Sequence, residues 1–156
     1  MPNITPQQML TLTANYADNI RRAKKSSVAV GLPSEKVGDK VYGDGQTVIS
    51  VGARHEYGGN GLPRRSFLRL PFVANKTEIN KAIAKQFEDV LLRGKPAAQA
   101  LGLIGVIATN YSKEAFVTRG FGQWPDISQA TKDAKGSTQI LVNNGILKGS
   151  ITYVVR

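Results

Sequence analysis

The chain holds one histidine, His55, and it stands beside Glu56. Arg64, Arg65 and Arg69 follow within the same stretch, ARHEYGGNGLPRRSFLRLPF (53–72), interrupted by glycines and a proline. Three chemistries suit such residues. A His-Glu pair can open a zinc-protease motif, but a second histidine would have to stand at position 59, which is Gly59. A histidine can serve as the base of a serine hydrolase, yet no GxSxG stretch occurs. An arginine cluster can hold phosphate or carboxylate, and here Arg64, Arg65 and Arg69 flank Phe67, with Tyr42, Tyr57 and Phe72 near in sequence.

The rest of the chain narrows these options. There is no cysteine, so no thiolate metal ligand, disulfide or cysteine nucleophile is on offer. No phosphate-binding loop of the GxxxxGK[ST] type occurs. The carboxylates are scattered, with only Glu88 and Asp89 adjacent, and they set up no paired acid–base work. Catalysis is therefore disfavoured, and no cofactor is expected. The net charge is +10, and residues 61–95 alone carry eight Lys/Arg against three Asp/Glu. Such a balance points to an acidic partner, either nucleic acid, a membrane surface or protein, or to a well-solvated basic surface.

The elements that must position these residues are readable. A chain of 156 residues is expected to form a single domain, 1–156, with a real core. No signal peptide is visible, and the apolar-rich stretch around Ala97 to Ala108 is too short to span a bilayer. Thr5, Pro6 and Gln8 open a helix over 5–24 with a capping box, and Met9, Leu12, Tyr16 and Ile20 give it an apolar stripe. Arg21, Arg22, Lys24 and Lys25 crowd its last turn, where the helix dipole favours cations. Ser27 to Leu32 reads as a strand stopped by Pro33, and 34–46 as a loop or irregular hairpin. Thr47 to Tyr57 favours a helix ended by Gly58-Gly59, although its β-branched residues also permit a strand.

Phe72 to Arg93 reads as one helix, with Ile79, Ile83, Phe87 and Leu91 stepping by four. Gly94 ends it and Pro96 opens the next helix, 97–117, which is apolar nearly all round; Gly102 and Gly105 allow close backbone approach there. Residues 118–139 read as a long polar connection, with Asp126 or Ser128 capping a short helix through Ala134. A turn at Asn143-Asn144-Gly145 and a strand from Ser150 to Val155 complete the pattern. The expected fold class is α+β: a small antiparallel sheet packed against an N-terminal helix and two long central helices.

Taken together, the segments resemble the virion-morphogenesis and tail-completion proteins of tailed bacteriophages, the small neck and tail-terminator group. The resemblance spans residues 27–156 and rests on three motifs in order. The first is His55-Glu56-Tyr57-Gly58 followed by Leu62-Pro63-Arg64-Arg65-Ser66-Phe67-Leu68-Arg69, with Ser66 where the pattern usually has proline. The second joins Trp124, Ile127, Ser128, Thr131 and Lys135. The third joins Leu141, Val142, Gly145, Leu147, Ser150, Ile151 and Tyr153, with Asn143-Asn144 where Asp-Thr is usual.

The resemblance implies a structural protein without catalysis or cofactor. It would be made in the host cytoplasm and built into the virion as a homo-oligomeric ring, a hexamer if on the tail side. Tail terminator or completion is favoured over a head-side neck adaptor. Its partners would be copies of itself, neighbouring neck and tail-tube proteins, and genomic DNA passing through the lumen without sequence readout, with no membrane. A basic lumen tolerates a polyanion, and a ring needs head-to-tail contacts that close. Helix 97–117 and the 34–46 and 118–139 segments are candidate contact surfaces. On this reading Gly58 to Gly61 bends the chain, Pro63 fixes the bend, Phe67 and Leu70 anchor it, and His55 and Glu56 bond polar groups there. Arg64, Arg65 and Arg69 would pair with a neighbour's carboxylates or face the lumen. A non-specific nucleic-acid binder and a hydrolase using His55 are the rivals.

Overall fold

A computed structural model describes residues 5–59, 61–135, 140–141 and 145–156. The architecture is α+β and mostly helical, with one two-stranded antiparallel sheet packed against helices. The first helix, α1 (Pro6–Lys25), begins as its sequence requires: Gln8 N donates to Thr5 Oγ1 (3.3 Å) and Thr5 N donates back to Gln8 Oε1 (2.9 Å). Its apolar stripe behaves otherwise. No α1 residue is buried, and Met9, Leu12 and Ile20 are 55%, 44% and 40% exposed. Tyr16 reaches the body of the molecule, its hydroxyl donating to Leu92 O (3.5 Å).

Strand β1 (Val28–Gly31) pairs with β2 (Thr152–Val155), running from Val28 opposite Val155 to Gly31 opposite Thr152. Ser27 and Arg156 extend the ladder by exchanging backbone bonds of 2.7 and 2.8 Å. A single helical turn, α2 (Ser34–Val37), occupies part of the expected loop, and its Lys36 Nζ donates to Tyr153 O (2.7 Å) on the outward edge of β2. An antiparallel bridge from Val41 to Thr47 then gives the irregular hairpin. The ambiguous stretch is helix α3 (Val48–Tyr57): Thr47 Oγ1 caps it by accepting from Ser50 N (3.1 Å), and Gly58 at φ 75° stops it.

The expected single helix 72–93 is two helices. The first, α4 (Arg69–Ala74), ends at Asn75, whose N and Nδ2 both donate to Pro71 O (2.9 and 3.0 Å). Asn75 sits at φ −111° and ψ 23°, outside the helical range, and α5 (Lys76–Arg93) starts after it. Apolar periodicity runs on through this corner, so it hid the break. Gly94 ends α5 in the left-handed conformation, and α6 (Ala97–Val117) keeps its expected bounds.

Helix α6 is the spine, touching α1, α4, α5 and both strands. Gly105 explains how the sheet lies on it: a Cβ there would come within 2.5 Å of the Tyr153 ring. The close approach that its glycines permit is therefore made to β2 of the same chain. Leu103 and Val106, on another side of α6, are each 41% exposed.

Residues 118–124 are packing rather than a plain polar connection. Arg119 and Phe121 hold positive φ (52° and 54°), as do Gly120 and Gly122. Such a conformation costs a non-glycine residue about 1–2 kcal/mol. It coils the chain so tightly that a Cβ on Gly120 would lie 2.2 Å from the Trp124 indole. Trp124 is buried. The next helix, α7 (Gln129–Lys135), is capped by Ser128, whose Oγ accepts from Thr131 N (3.3 Å). The expected strand 150–155 starts later, because α8 (Ile146–Ser150) takes the residues after Gly145, which is left-handed at φ 74°. The expected turn residues Asn143 and Asn144, with Val142 and Asn60, lie outside the described residues.

Candidate functional site

The last turn of α3 carries Glu56 into the interior, where it is 3% exposed. A buried carboxylate must find donors or give up its charge. Glu56 finds five. Oε1 accepts from Ser66 Oγ (2.7 Å), Arg69 N (3.1 Å) and Arg69 Nε (2.9 Å). Oε2 accepts from the backbone amides of Phe67 (2.8 Å) and Leu68 (2.9 Å). Arg69 Nη2 also donates to the Glu56 carbonyl (3.0 Å). These amides belong to the chain entering α4, so the carboxylate satisfies donors that a helix start leaves without intrahelical partners. Burial pushes the Glu56 carboxyl up. The Ser66 hydroxyl, the Arg69 guanidinium and the amides of Leu68 and Arg69 outweigh it and hold the group below its ordinary range.

Ser66 turns out to be a second hub. Its Oγ donates to Glu56 and accepts from Leu70 N (3.1 Å), while its carbonyl accepts from Trp124 Nε1 (3.3 Å). Apart from Leu70, four residues on, its partners lie ten residues before it and 58 after it. The only signal available was that a hydroxyl beside Phe67 must be satisfied when Phe67 is buried.

The three arginines take different places. Arg65 is 5% exposed, donating through Nε and Nη2 to Pro125 O (3.2 and 3.1 Å) and through Nη2 to Asp126 O (3.2 Å). Its own amide donates to His55 O (2.8 Å). Arg69 binds Glu56 and lies over the Tyr57 ring at 4.6 Å. Both guanidinium groups are thus engaged within their own chain, Arg65 buried and Arg69 with its side chain 55% exposed. Arg64 is exposed.

The remaining residues of the opening stretch shape the bend. Gly59 and Leu62 exchange two backbone bonds of 3.0 Å. Gly58 must be glycine, since a Cβ there would lie 3.0 Å from Arg64 N and its φ is 75°. Pro63 is exposed and stands on the wall of a cleft. Phe67 is fully buried, its ring 5.4 Å from that of Phe116, which meets Trp124 edge-on at 5.7 Å. Leu147 and Ile151 close the same core, and Leu70 packs against it half-buried. Gly145 opens α8, and Tyr153 lies on α6 at Gly105.

Between α3, the bend, residues 125–131 and α8 lies a cleft of about 510 Å³. His55, Tyr42, Asp126, Ser128 and Thr131 are on its walls. Asp126 is held by Lys132 Nζ (2.7 Å), which with the Ile127 amide keeps its carboxyl below the ordinary range. Glu56, with five donors on two oxygens, has no lone pair left to take a proton from a substrate. What this arrangement does chemically is to tie the end of α3 to residues 66–69 around one buried negative charge, while Arg65 and the Ser66 carbonyl join that stretch to residues 124–126.

Among the described residues, no group of three or more His, Asp or Glu side chains could hold a metal ion, and no helix is long and apolar enough to cross a membrane. No protein-family model, curated protein or solved structure matches the chain.

Proposed function

We propose that this chain is a structural protein of a tailed-phage virion, forming a homo-oligomeric ring at the head–tail junction as a tail terminator or completion protein. One observation supports this reading most: residues of all three resemblance motifs meet in one core. Glu56, Ser66, Phe67 and Arg69 come from the first, Trp124 from the second, Leu147 and Ile151 from the third. Motif residues that hold one another account for their own presence as a rigid scaffold, with no substrate required. A rigid body with a charge of +10 suits a ring around a polyanion that is passed but not read.

The test is the mass of the purified protein by light scattering, with negative-stain images of the same fraction. A hexameric ring supports the tail-side assignment, and a dodecameric ring moves the protein to the head-side adaptor. A monomer that purified tails recruit keeps the neck reading. A monomer that instead binds DNA, with affinity falling steeply in salt, replaces it with non-specific nucleic-acid binding.

A further inference from the structure

Two helical faces of this protein are exposed, apolar and uncharged. Residues 5–20 hold a single charged side chain, Asp18, which is already bonded by Arg21 and Arg22. Yet no residue of α1 is buried, and Met9 and Leu12, three positions apart on one face, are 55% and 44% exposed. A solvated helix face normally carries charge along its length. Residues 97–112 of α6 hold no charged side chain at all. There Leu103 and Val106 are exposed along with Gln99 and Asn110, at spacings of three and four that put them on one face.

This second face cannot be covered by α1 of the same chain. Helix positions advance about 100° per residue. Leu101 and Ile104, which line a shallow groove with Ala23 of α1, therefore lie on the far side of α6 from Val106.

We propose that α1 of one copy packs across the Leu103–Val106 face of α6 in the next copy, making the repeating contact of the ring. The occupant follows from charge. An acidic partner or a nucleic acid would be held by several cations; residues 5–20 and 97–112 offer none, and Lys113 stands alone at the far end of the α6 face. Copies bearing +10 each repel, so they approach most easily where their surfaces carry no charge. The two faces differ, so the contact is head-to-tail and propagates around a ring instead of ending at a dimer. The inference rests on the ring reading, and its test separates the two.

The chain has no cysteine, so single cysteines report unambiguously. Met9→Cys protein is mixed with Val106→Cys protein under the conditions in which wild type forms rings, then oxidised. The mixture is expected to give a disulfide-linked dimer, and each variant alone is expected to give at least tenfold less. In parallel, Val106→Glu is expected to weaken assembly at least tenfold with an unchanged melting temperature. Rings that form without the mixed cross-link, or that survive Val106→Glu intact, overturn this contact and leave the ring standing. Cross-linking of Met9→Cys with itself overturns the head-to-tail arrangement. Wild-type protein that yields neither rings nor cross-links overturns both.

Discussion

At the scale of single residues the molecule turns on Glu56. Glu56→Gln keeps the shape but loses the charge that draws Arg69 and three amides, with a cost of about 2–3 kcal/mol. Urea denaturation measures this as a lower midpoint at unchanged slope. The pH dependence has a definite sign. The folded carboxyl titrates below its ordinary value of 4.5, so Glu56 contributes fully above that value, and its contribution is lost as pH falls through the lower folded value. Wild-type stability should therefore fall below about pH 4.5, and Glu56→Gln should flatten part of that fall. A variant with the wild-type pH profile would remove Glu56 from this role. The arginines divide in the same way. Arg65→Ala leaves the carbonyls of Pro125 and Asp126 without their buried donor and should cost about 2–4 kcal/mol. Arg64→Ala should stay within about 0.5 kcal/mol. If the two variants melt together, Arg65 is not a structural residue.

At the scale of elements, the two glycines of α6 make opposite predictions. A Cβ at Gly105 meets the Tyr153 ring, whereas at Gly102 it meets only the Tyr153 hydroxyl at 3.8 Å. Gly105→Ala should destabilise, since overpacking costs about 1–3 kcal/mol and helix propensity returns roughly 1. Gly102→Ala should stabilise by up to about 1 kcal/mol. Thermal melts of the pair decide whether β2 seats on α6 at Gly105. Elements with local grammar were legible in the sequence: the Thr5 capping box, the Gly94–Pro96 boundary before α6, a cap for α7 at one of two positions, of which Ser128 takes the part, and the pairing-competent ends of the sheet. What stayed hidden depends on distant partners. The corner at Asn75 interrupts no apolar pattern. The coil around Trp124 reads as polar because glycines and positive φ, not apolar residues, bring the chain against the indole. The opening stretch was recognisable as a bend, but that Arg65 turns inward depends on carbonyls some 60 residues away.

At the scale of the whole molecule, the charge of +10 is absent from two helical stretches, residues 5–17 of the N-terminal segment and 97–112 of α6. If the ring contact is made by the uncharged faces of α1 and α6, assembly must overcome only the general repulsion between basic copies. Salt screens that repulsion, so raising ionic strength from ~0.05 M to ~0.5 M should strengthen self-association. Binding to DNA responds the opposite way. Sedimentation across a salt series reads both, and assembly that weakens with salt would mean that ion pairs hold the copies together.

The sheet joins parts of the chain that are made far apart in time. Ribosomes add roughly 5–20 residues per second, so β1 waits about 6–24 s for the ~120 residues that separate it from β2. For the last ~36 residues of that interval, about 2–7 s, α6 is complete but its Gly105 side lacks Tyr153, and the helix is apolar on nearly every side. The nascent chain therefore passes through a stage in which its most adhesive helix is also its least covered. Residues 152–155 act as the late closure that covers the Gly105 side of α6 while its Leu103–Val106 face stays open.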